Sequence, residues 1–432
     1  MIIALHTLGC KVNQYDTEAM RELLIRAGHT TVPFQEEADA YVINTCTVTG
    51  TGDHKSLQLA RRIRREHPDA VLVLCGCLAQ RQGEALLAES GADLILGTQY
   101  RGQIVQLLEQ VFRDRKPLCA VAPLKAPLPF EALNITTVSG HTRATVKIQE
   151  GCNNHCTYCI IPSVRGPIRS RPLADLREEA LRLRDSGFQE IVLTGIHLAS
   201  YGREFPDSSP TLPDAIRTVH EVEGISRIRL GSLEPVIATE AFCRELGNLP
   251  KVCPQFHLAL QSGSDSVLAR MKRRYNTRQY LDAVKNIRQV YPRAALTTDI
   301  LTGFPGETEE EYRQTRDFIQ QVGFARIHVF PYSPREGTPA AEMPGQLSPA
   351  LKEQRSRELI ELGKLVARQY LETWLDRETV LLPEEQVKGR WEGYTPEYIR
   401  VSLAPGISCV SGVPRTVRLT GLLPGGMSAE PV

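Results

Sequence analysis

The segment Cys152-Asn-Asn-His-Cys156-Thr-Tyr-Cys159 places three cysteines close together, directly after a short apolar stretch over residues 144–149 that predicts a strand. Three thiolates at this spacing can bind three irons of a [4Fe–4S] cluster, which ordinarily has four cysteine ligands. The fourth iron then stays open to a substrate or cofactor, as the open position of a catalytic zinc does. The alternatives are a zinc knuckle that uses His155, or three core cysteines that are neighbours by coincidence.

Alternating strands and helices continue on the carboxyl side of this segment, and they predict a partial barrel. A long helical stretch over residues 349–372 leads out of it. In such barrels the chemistry takes place at the carboxyl ends of the strands. The predicted strands are residues 144–149, 190–194, 227–231, 255–260, 294–301 and 325–330.

The segment before the barrel also alternates, which predicts a parallel sheet covered by helices on both faces, as in a flavodoxin-like doubly wound domain. Its predicted strands are residues 2–6, 40–44, 70–75 and 94–96, and its predicted helices are 13–27, 53–66, 82–90 and 102–113.

The last segment is rich in Val, Thr, Gly and Pro, with strand-like runs at residues 378–382, 399–403 and 415–422. A small all-β barrel fits that composition. The predicted fold is therefore α/β, with a flavodoxin-like domain over residues 1–115, a proline-rich linker over 116–140, a six-stranded partial barrel over 141–370 and a small β barrel over 371–432.

Composition indicates the cellular compartment of the protein and the chemical role of its cysteines. The formal net charge is +1 and no apolar run is long enough to cross a bilayer, so we expect a cytoplasmic protein without a membrane partner. The cytosol keeps thiols reduced, and an odd count of eleven cysteines fits a closed set of disulfides poorly. Clustered cysteines in this setting indicate metal ligands or reactive thiols.

A second set of cysteines supports another cluster. Cys10, Cys46 and Cys77 each follow the predicted end of one of the first three parallel strands. Those ends meet at one crevice in an open α/β sheet, so three distant residues can become neighbours there. Cys75 lies on the strand two residues before Cys77 and is the alternative to it at this position. The remaining cysteines have no partner at ligand spacing and are predicted to be structural: Cys119, Cys243, Cys253 and Cys409.

The cysteine spacing, with Tyr158 before the last cysteine, resembles the radical S-adenosylmethionine (SAM) superfamily. Gln261-Ser-Gly-Ser264, Thr298-Asp-Ile-Leu-Thr-Gly-Phe-Pro-Gly-Glu307 and Pro331-Tyr-Ser-Pro-Arg-Glu-Gly-Thr338 resemble its methylthiotransferase family. The resemblance implies that SAM binds the open iron of the Cys152/Cys156/Cys159 cluster. It also implies an auxiliary [4Fe–4S] cluster at the second cysteine set. Gly76-Cys77-Leu-Ala-Gln80 matches the pattern of the family, which makes Cys77 the ligand and leaves Cys75 as core. Predicted SAM contacts are Tyr158, Gln261, Ser262 and Gly303.

The resemblance further implies the reaction. One SAM methylates a sulfur at the auxiliary cluster, a second is cleaved to a radical, and a methylthio group joins C2 of an adenine in tRNA. Thr7-Leu-Gly-Cys-Lys-Val-Asn-Gln14, Met271-Lys-Arg-Arg-Tyr275 and Arg335-Glu336-Gly337 resemble the MtaB branch, which acts on N6-threonylcarbamoyladenosine beside the anticodon. The partners would be tRNA, an electron donor of flavodoxin or ferredoxin type and a sulfur source, with the enzyme acting as a monomer.

The sequence leaves other substrates and other classes of protein open. One branch of the family acts on N6-isopentenyladenosine and another modifies an aspartate of a ribosomal protein. A protein of another class would be a two-cluster electron carrier, which needs four protein ligands for each cluster, or a plain tRNA-binding protein, which leaves both cysteine sets unexplained.

Basic residues supply the predicted RNA contacts, because guanidinium groups suit phosphates and base edges. Two basic patches, within residues 165–171 and 272–274, are expected at the barrel mouth. Alternatively, each patch is only part of a solvated helix surface. The C-terminal segment, which adds Trp391, Tyr394 and Tyr398, resembles a TRAM domain, an RNA-binding module, although a small β barrel can also be purely structural. The predicted RNA-binding residues are Arg165, Arg169, Arg171, Lys272, Arg273, Arg274, Lys388 and Arg390.

Overall fold

The N-terminal sheet consists of six parallel strands in the order β2-β1-β3-β4-β5-β6. The computed structural model describes residues 1–125, 128–136 and 142–432. Every residue of β3 and β4 is buried, because helices cover both faces of the sheet. The order of the first five strands is that of flavodoxin. The strands are β1 (Ile2–Thr7), β2 (Thr30–Val32), β3 (Ala40–Thr45), β4 (Val71–Gly76), β5 (Leu94–Leu96) and β6 (Leu118–Ala120).

Helices connect these strands near the predicted positions. The helix predicted over residues 82–90 begins at Glu84, and a further short helix, Cys77–Gln82, precedes it and ends before Gly83. The helices are α1 (Lys11–Arg26), α2 (Gly50–Glu66), α3 (Cys77–Gln82), α4 (Glu84–Ser90) and α5 (Ile104–Asp114).

Two edge strands, β2 and β6, differ from the sequence prediction. Each has three residues, and none of those residues is fully buried, so neither produces a clear hydrophobic pattern. Strand β6 pairs with β5 and lies within the segment predicted as a linker over residues 116–140. Residues 126–127 and 137–140 of that linker lie outside the described residues.

The six predicted barrel strands are present as two sheets, β10-β9-β7-β8 and β11-β12-β13-β14. A parallel bridge between Ile228 and Val252 joins them. On β7, Ala144, Val146 and Ile148 pack into the core, so the alternate residues face the barrel interior. The strands are β7 (Arg143–Glu150), β8 (Arg169–Ser170), β9 (Glu190–Gly195), β10 (Arg227–Leu230), β11 (Ser232–Leu233), β12 (Gln255–Leu258), β13 (Ala295–Thr302) and β14 (Arg326–Pro331).

Helices cover the outside of the barrel, and the last of them confirms the helix predicted over residues 349–372. The helices are α6 (Ile161–Arg165), α7 (Leu173–Asp185), α8 (Leu212–His220), α9 (Glu240–Gly247), α10 (Asp265–Arg270), α11 (Thr277–Val290), α12 (Glu309–Val322), α13 (Pro339–Glu342) and α14 (Pro349–Glu372).

The C-terminal strands close into a small barrel in the order β15-β16-β17-β19-β18 around a core of its own. It is fixed to the amino-terminal ends of the large barrel's strands. Arg227 donates to the carbonyl oxygen of Tyr394 (3.1 Å), and Arg229 donates to that of Pro396 (2.9 Å). The strands are β15 (Glu378–Val387), β16 (Arg390–Tyr394), β17 (Arg400–Leu403), β18 (Arg415–Leu423) and β19 (Gly426–Pro431).

Candidate active site

The loop with Cys152, Cys156 and Cys159 begins where β7 ends, at Gly151. Gly151 has φ +72°, and a Cβ there would lie 1.9 Å from the carbonyl oxygen of Pro167. Only glycine therefore allows the loop to lie this close to the returning chain. The amide of Cys152 donates to the carbonyl oxygen of Gly166 at 3.0 Å, which fixes the start of the loop.

The three thiols of this loop line a single cavity of about 140 Å³ at the carboxyl ends of the barrel strands. Burial raises the pKa of Cys152 and raises that of Cys159 to about 12. Thiols in such surroundings stay protonated unless a cation stabilises the thiolate, which is what metal coordination does.

Three cysteine thiols in one cavity are the donor set of an iron–sulfur cluster that leaves one iron open. Within the residues that the structure describes, no three Cys, His, Asp or Glu side chains converge closely enough to hold one metal ion. Each thiolate of a [4Fe–4S] cluster binds a different iron, so its ligands stand farther apart than those of a mononuclear site. The donor set therefore fits the cluster that the sequence predicts.

A charged network surrounds the same cavity and includes three residues that the sequence analysis missed: Asn154, His197 and Glu234. Glu234 lies 3.0 Å from His197 Nε2 and 3.0 Å from a guanidinium nitrogen of Arg273. Burial would raise the pKa of Glu234, but these hydrogen bonds and charges outweigh it and lower the pKa. His197 and Glu234 follow β9 and β11, so their polar character at strand ends was a usable signal.

Arg273 also contacts a cysteine of the loop. One guanidinium nitrogen donates to Cys156 Sγ at 3.1 Å, and the side chain is only 8% exposed. Arg273 was predicted to contact RNA, but the structure places it in the wall of the cavity beside a cluster ligand, because Glu234 holds it there.

The residues predicted to contact SAM are only partly brought together. Tyr158 lines the cavity. Gln261, with φ +69°, pairs its backbone with β13. The chain then turns outward, so that the Ser262 hydroxyl lies 3.3 Å from that of Thr315 on α12. Gly303 packs against Lys352 on α14. The described residues that line the cavity do not include Gln261, Ser262 or Gly303. The geometry therefore gives no support to contacts between these residues and SAM.

The second cysteine set does converge. Cys10 precedes α1, Cys46 follows β3 and Cys77 begins α3. A Cβ at Gly9 would lie 2.8 Å from Cys46 Cβ, so the turn that carries Cys10 packs directly on Cys46. Burial raises the pKa of Cys46 and raises that of Cys77 to about 11, so these thiols also favour a metal-bound state. Cys75, by contrast, is fully buried in the sheet.

The predicted RNA contacts by Arg165, Arg169 and Arg171 are wrong, because all three side chains are buried. Arg165 Nε donates to Cys77 Sγ at 3.2 Å. Arg169 donates to the carbonyl oxygen of Arg165 at 3.0 Å, and Arg171 forms an ion pair with Glu179. The partners come from distant elements, so the sequence patch gave no sign of them. The predicted RNA-contact residues that remain exposed are Lys272, Arg274, Lys388 and Arg390.

The two cysteine sites share a wall. Cys77 packs with Ile160 and Val164. These two residues lie just after the loop that carries Cys152, Cys156 and Cys159 (the cluster loop). Helix α3 of the N-terminal domain thus lies against α6 of the barrel, and the two candidate clusters lie on either side of this contact.

Two family models match the chain. The model described as Uncharacterized protein family UPF0004 matches residues 2–97, and that of the Radical SAM superfamily matches residues 146–319. The first contains all of Cys10, Cys46 and Cys77, and the second contains the cluster loop.

Curated relatives match over nearly the whole chain. A threonylcarbamoyladenosine tRNA methylthiotransferase MtaB of Bacillus subtilis is 41% identical over 92% of this chain and 89% of its own length. Proteins of the same name from Aquifex aeolicus and Thermotoga maritima are 33% and 34% identical, over 91% and 92% of this chain and 97% and 90% of theirs.

Solved structures resemble the fold at low identity. The radical SAM methyltransferase TsrM of Kitasatospora setae has a TM-score of 0.58 at 15% identity, covering 79% of this chain and 77% of its own. The cobalamin-dependent radical enzyme OxsB has a TM-score of 0.52 at 12% identity, covering 86% and 56%. None of the described helices has the length and hydrophobicity to span a bilayer.

Proposed function

The chain belongs to the radical-SAM methylthiotransferase family, and from this premise we propose that it adds a methylthio group to C2 of N6-threonylcarbamoyladenosine at position 37 of tRNA. The observation that supports this most is the pair of three-cysteine sites on either side of the Cys77–Ile160–Val164 contact. Its MtaB relatives at up to 41% identity favour this nucleoside over the other substrates of the family.

The cofactors are SAM and two [4Fe–4S] clusters, which supply the radical and sulfur chemistry that side chains cannot perform at an unactivated aryl C–H bond. Cys152, Cys156 and Cys159 would hold one cluster, and the second set would hold the other. Arg273 donates to Cys156, one of the proposed ligands of the first cluster.

The partners follow from this activity. The substrate is a tRNA, and the exposed residues Lys272, Arg274, Lys388 and Arg390 are the side chains that we propose to contact its phosphates. The enzyme needs an electron donor, for which a flavodoxin or ferredoxin is suitable, and a sulfur source. We propose that it works in the cytoplasm, with its tRNA, as a monomer.

Nucleoside mass spectrometry tests the proposed function. The reconstituted protein is incubated without oxygen with SAM, a sulfide donor, a strong reductant and tRNAs that carry threonylcarbamoyl- or isopentenyladenosine. We expect a methylthio mass gain on the threonylcarbamoyl nucleoside alone. Gain only on the isopentenyl nucleoside would overturn the substrate, and cleavage of SAM without gain on either would indicate an acceptor other than these nucleosides.

A further inference from the structure

A cavity of about 430 Å³ lies where the three parts of the chain meet. Helix α1 supplies Lys11 and Gln14, strand β7 supplies Arg143 and Thr145, and the C-terminal barrel supplies Tyr398. This cavity shares none of its described lining residues with the one around the cluster loop. Its volume is in the range that holds a small organic group.

The cavity adjoins the auxiliary cysteine site. Lys11 is the first residue of α1 and directly follows Cys10. Thr7, which also lines the cavity, ends the strand that leads to Cys10. The cavity therefore reaches the residues on either side of the turn that carries Cys10.

Among the described residues, Lys11 is the cation of this cavity without a counter-ion. Its ammonium forms no hydrogen bond or ion pair with any residue in the described part of the chain. Arg143, in contrast, pairs with Glu384, with Nε 2.7 Å from a carboxylate oxygen. The acidic residue of the lining, Glu18, lies 3.4 Å from Arg21, which neutralises it.

The phenol of Tyr398 indicates an excess of positive charge in the cavity. Burial would raise the pKa of Tyr398, but Arg143, Lys11 and Arg229 outweigh it and lower this pKa. Glu190, a nearby carboxylate, is held by Arg229 at 2.9 Å. A bound anion would balance this excess of positive charge.

The proposed substrate supplies such an anion. A threonylcarbamoyl group on N6 ends in a carboxylate, whereas an isopentenyl group is apolar. N6 is bonded to C6, and C6 and C2 flank the same ring nitrogen, N1. A pocket for the N6 substituent must therefore lie close to the position where C2 is modified, and this cavity adjoins the sulfur site.

We propose that this cavity binds the carboxylate-bearing N6 substituent of the substrate nucleoside, with Lys11 Nζ as the ion-pair partner of the carboxylate; the inference rests on the proposed function. Gln14 and Thr145 add neutral polar groups for the rest of the substituent. An apolar substituent would remove water from the ammonium without replacing its hydrogen bonds, so Lys11 also selects against it.

The test compares binding by the reconstituted holoenzyme of anticodon stem-loops that carry threonylcarbamoyladenosine or its carboxyl methyl ester. Dissociation constants are measured by fluorescence anisotropy for the wild type, Lys11→Met, Lys11→Arg and the control Lys285→Met, at equal iron content. Lys285 is a lysine of similar chemistry that is exposed on α11, outside the cavity.

We expect the wild type and Lys285→Met to bind the acid about tenfold more tightly than the ester, as for one charge-assisted hydrogen bond. Lys11→Met should bind both equally, and Lys11→Arg should keep part of the preference. Equal binding of acid and ester by the wild type would overturn the inference, as would a full preference in Lys11→Met.

Equal binding by the wild type overturns the inference even if Lys11→Met fails to load its clusters, and Lys11→Arg then tests the role of this residue. Methylthio formation on the threonylcarbamoyl nucleoside without an acid preference would refute only the role of Lys11. An acid preference that Lys11→Met loses, without any product on that nucleoside, would support the cavity but refute the proposed reaction.

Discussion

Arg165 lies fully buried between the two cysteine sites. Besides Cys77, it contacts Glu150 at 3.1 Å, at the end of the strand that leads into the cluster loop, and Asp16 at 3.0 Å. Burial would raise the pKa values of Asp16 and Glu150, but Arg101, Lys147 and Arg165 outweigh it, so that both carboxylates remain ionised. Arg165 thus joins the N-terminal domain to the barrel through charge.

Arg165→Met should lower the free energy of unfolding by about 3–5 kcal/mol, because it leaves buried carboxylates with fewer partners. Urea denaturation of the metal-free protein measures this. The control is Arg313→Met, since Arg313 is 65% exposed beside Glu310 and such a pair contributes less than about 1 kcal/mol. A loss no larger than that of the control would show that Arg165 adds little to stability.

At the scale of elements, the cluster loop depends on the turn at Gly151. Gly151→Ala would place a methyl group against Pro167, with the backbone in a region that side chains disfavour. We expect about half of the iron to be lost, because the auxiliary site should still load its cluster. Iron and sulfide analysis after reconstitution measures this. Gly187→Ala is the matched control, since Gly187 has φ +91° but nothing within 4 Å, and it should keep its full iron content.

The first turn of helix α12 contains a carboxylate, Glu311, whose ionisation should make the stability of the protein depend on pH. Arg270, by hydrogen bonding, lowers the pKa of Glu311 to about 2, and Ser266 and the amide of Thr308 add to this. Between about pH 4.5 and 2 the unfolded state binds more protons than the folded state, so this contribution is complete above that range and is lost as pH falls through it.

Glu311→Gln should therefore destabilise the protein by about 1–3 kcal/mol at pH 7 and by little near pH 2. Denaturant midpoints across this range measure the difference from wild type. Glu310→Gln, at a neighbouring position that is 57% exposed, should differ little from wild type throughout. A destabilisation by Glu311→Gln that stays constant with pH would contradict the assigned ionisation.

The elements could largely be predicted from sequence, since buried parallel strands such as β3 and β4 are continuous apolar runs. The cysteine sites could be located because each ligand follows a strand end. Arg165 could not be assigned correctly, because Asp16, which lies 149 residues away, becomes its neighbour only in the folded chain. A basic patch on a sequence does not reveal which side chains find internal partners.

At the scale of the whole molecule, the near-zero net charge means that tRNA affinity must come from local basic groups. Lys388 and Arg390 flank the turn between β15 and β16 and are exposed. The double variant Lys388→Met/Arg390→Met should weaken tRNA binding and reduce the slope of log K against log salt by about 1–2. Binding is measured by filter retention at several salt concentrations.

The control for this variant is Arg113→Met. Arg113 is 72% exposed on α5 beside Asp114, outside the proposed tRNA surface, and its loss should leave the slope unchanged. If the double variant also keeps the wild-type slope, Lys388 and Arg390 do not contact phosphates.

The joint at the base of the large barrel has an evolutionary consequence. Tyr398 stacks under Arg229, at 4.7 Å, and also lines the Lys11 cavity, so the C-terminal barrel forms the floor of a chamber in the catalytic part. The C-terminal barrel therefore cannot be exchanged for another domain without changing this cavity. Recombination that replaced it with a foreign RNA-binding module would keep the tether to RNA and yet open the chamber from below, so the two parts are constrained to diverge together.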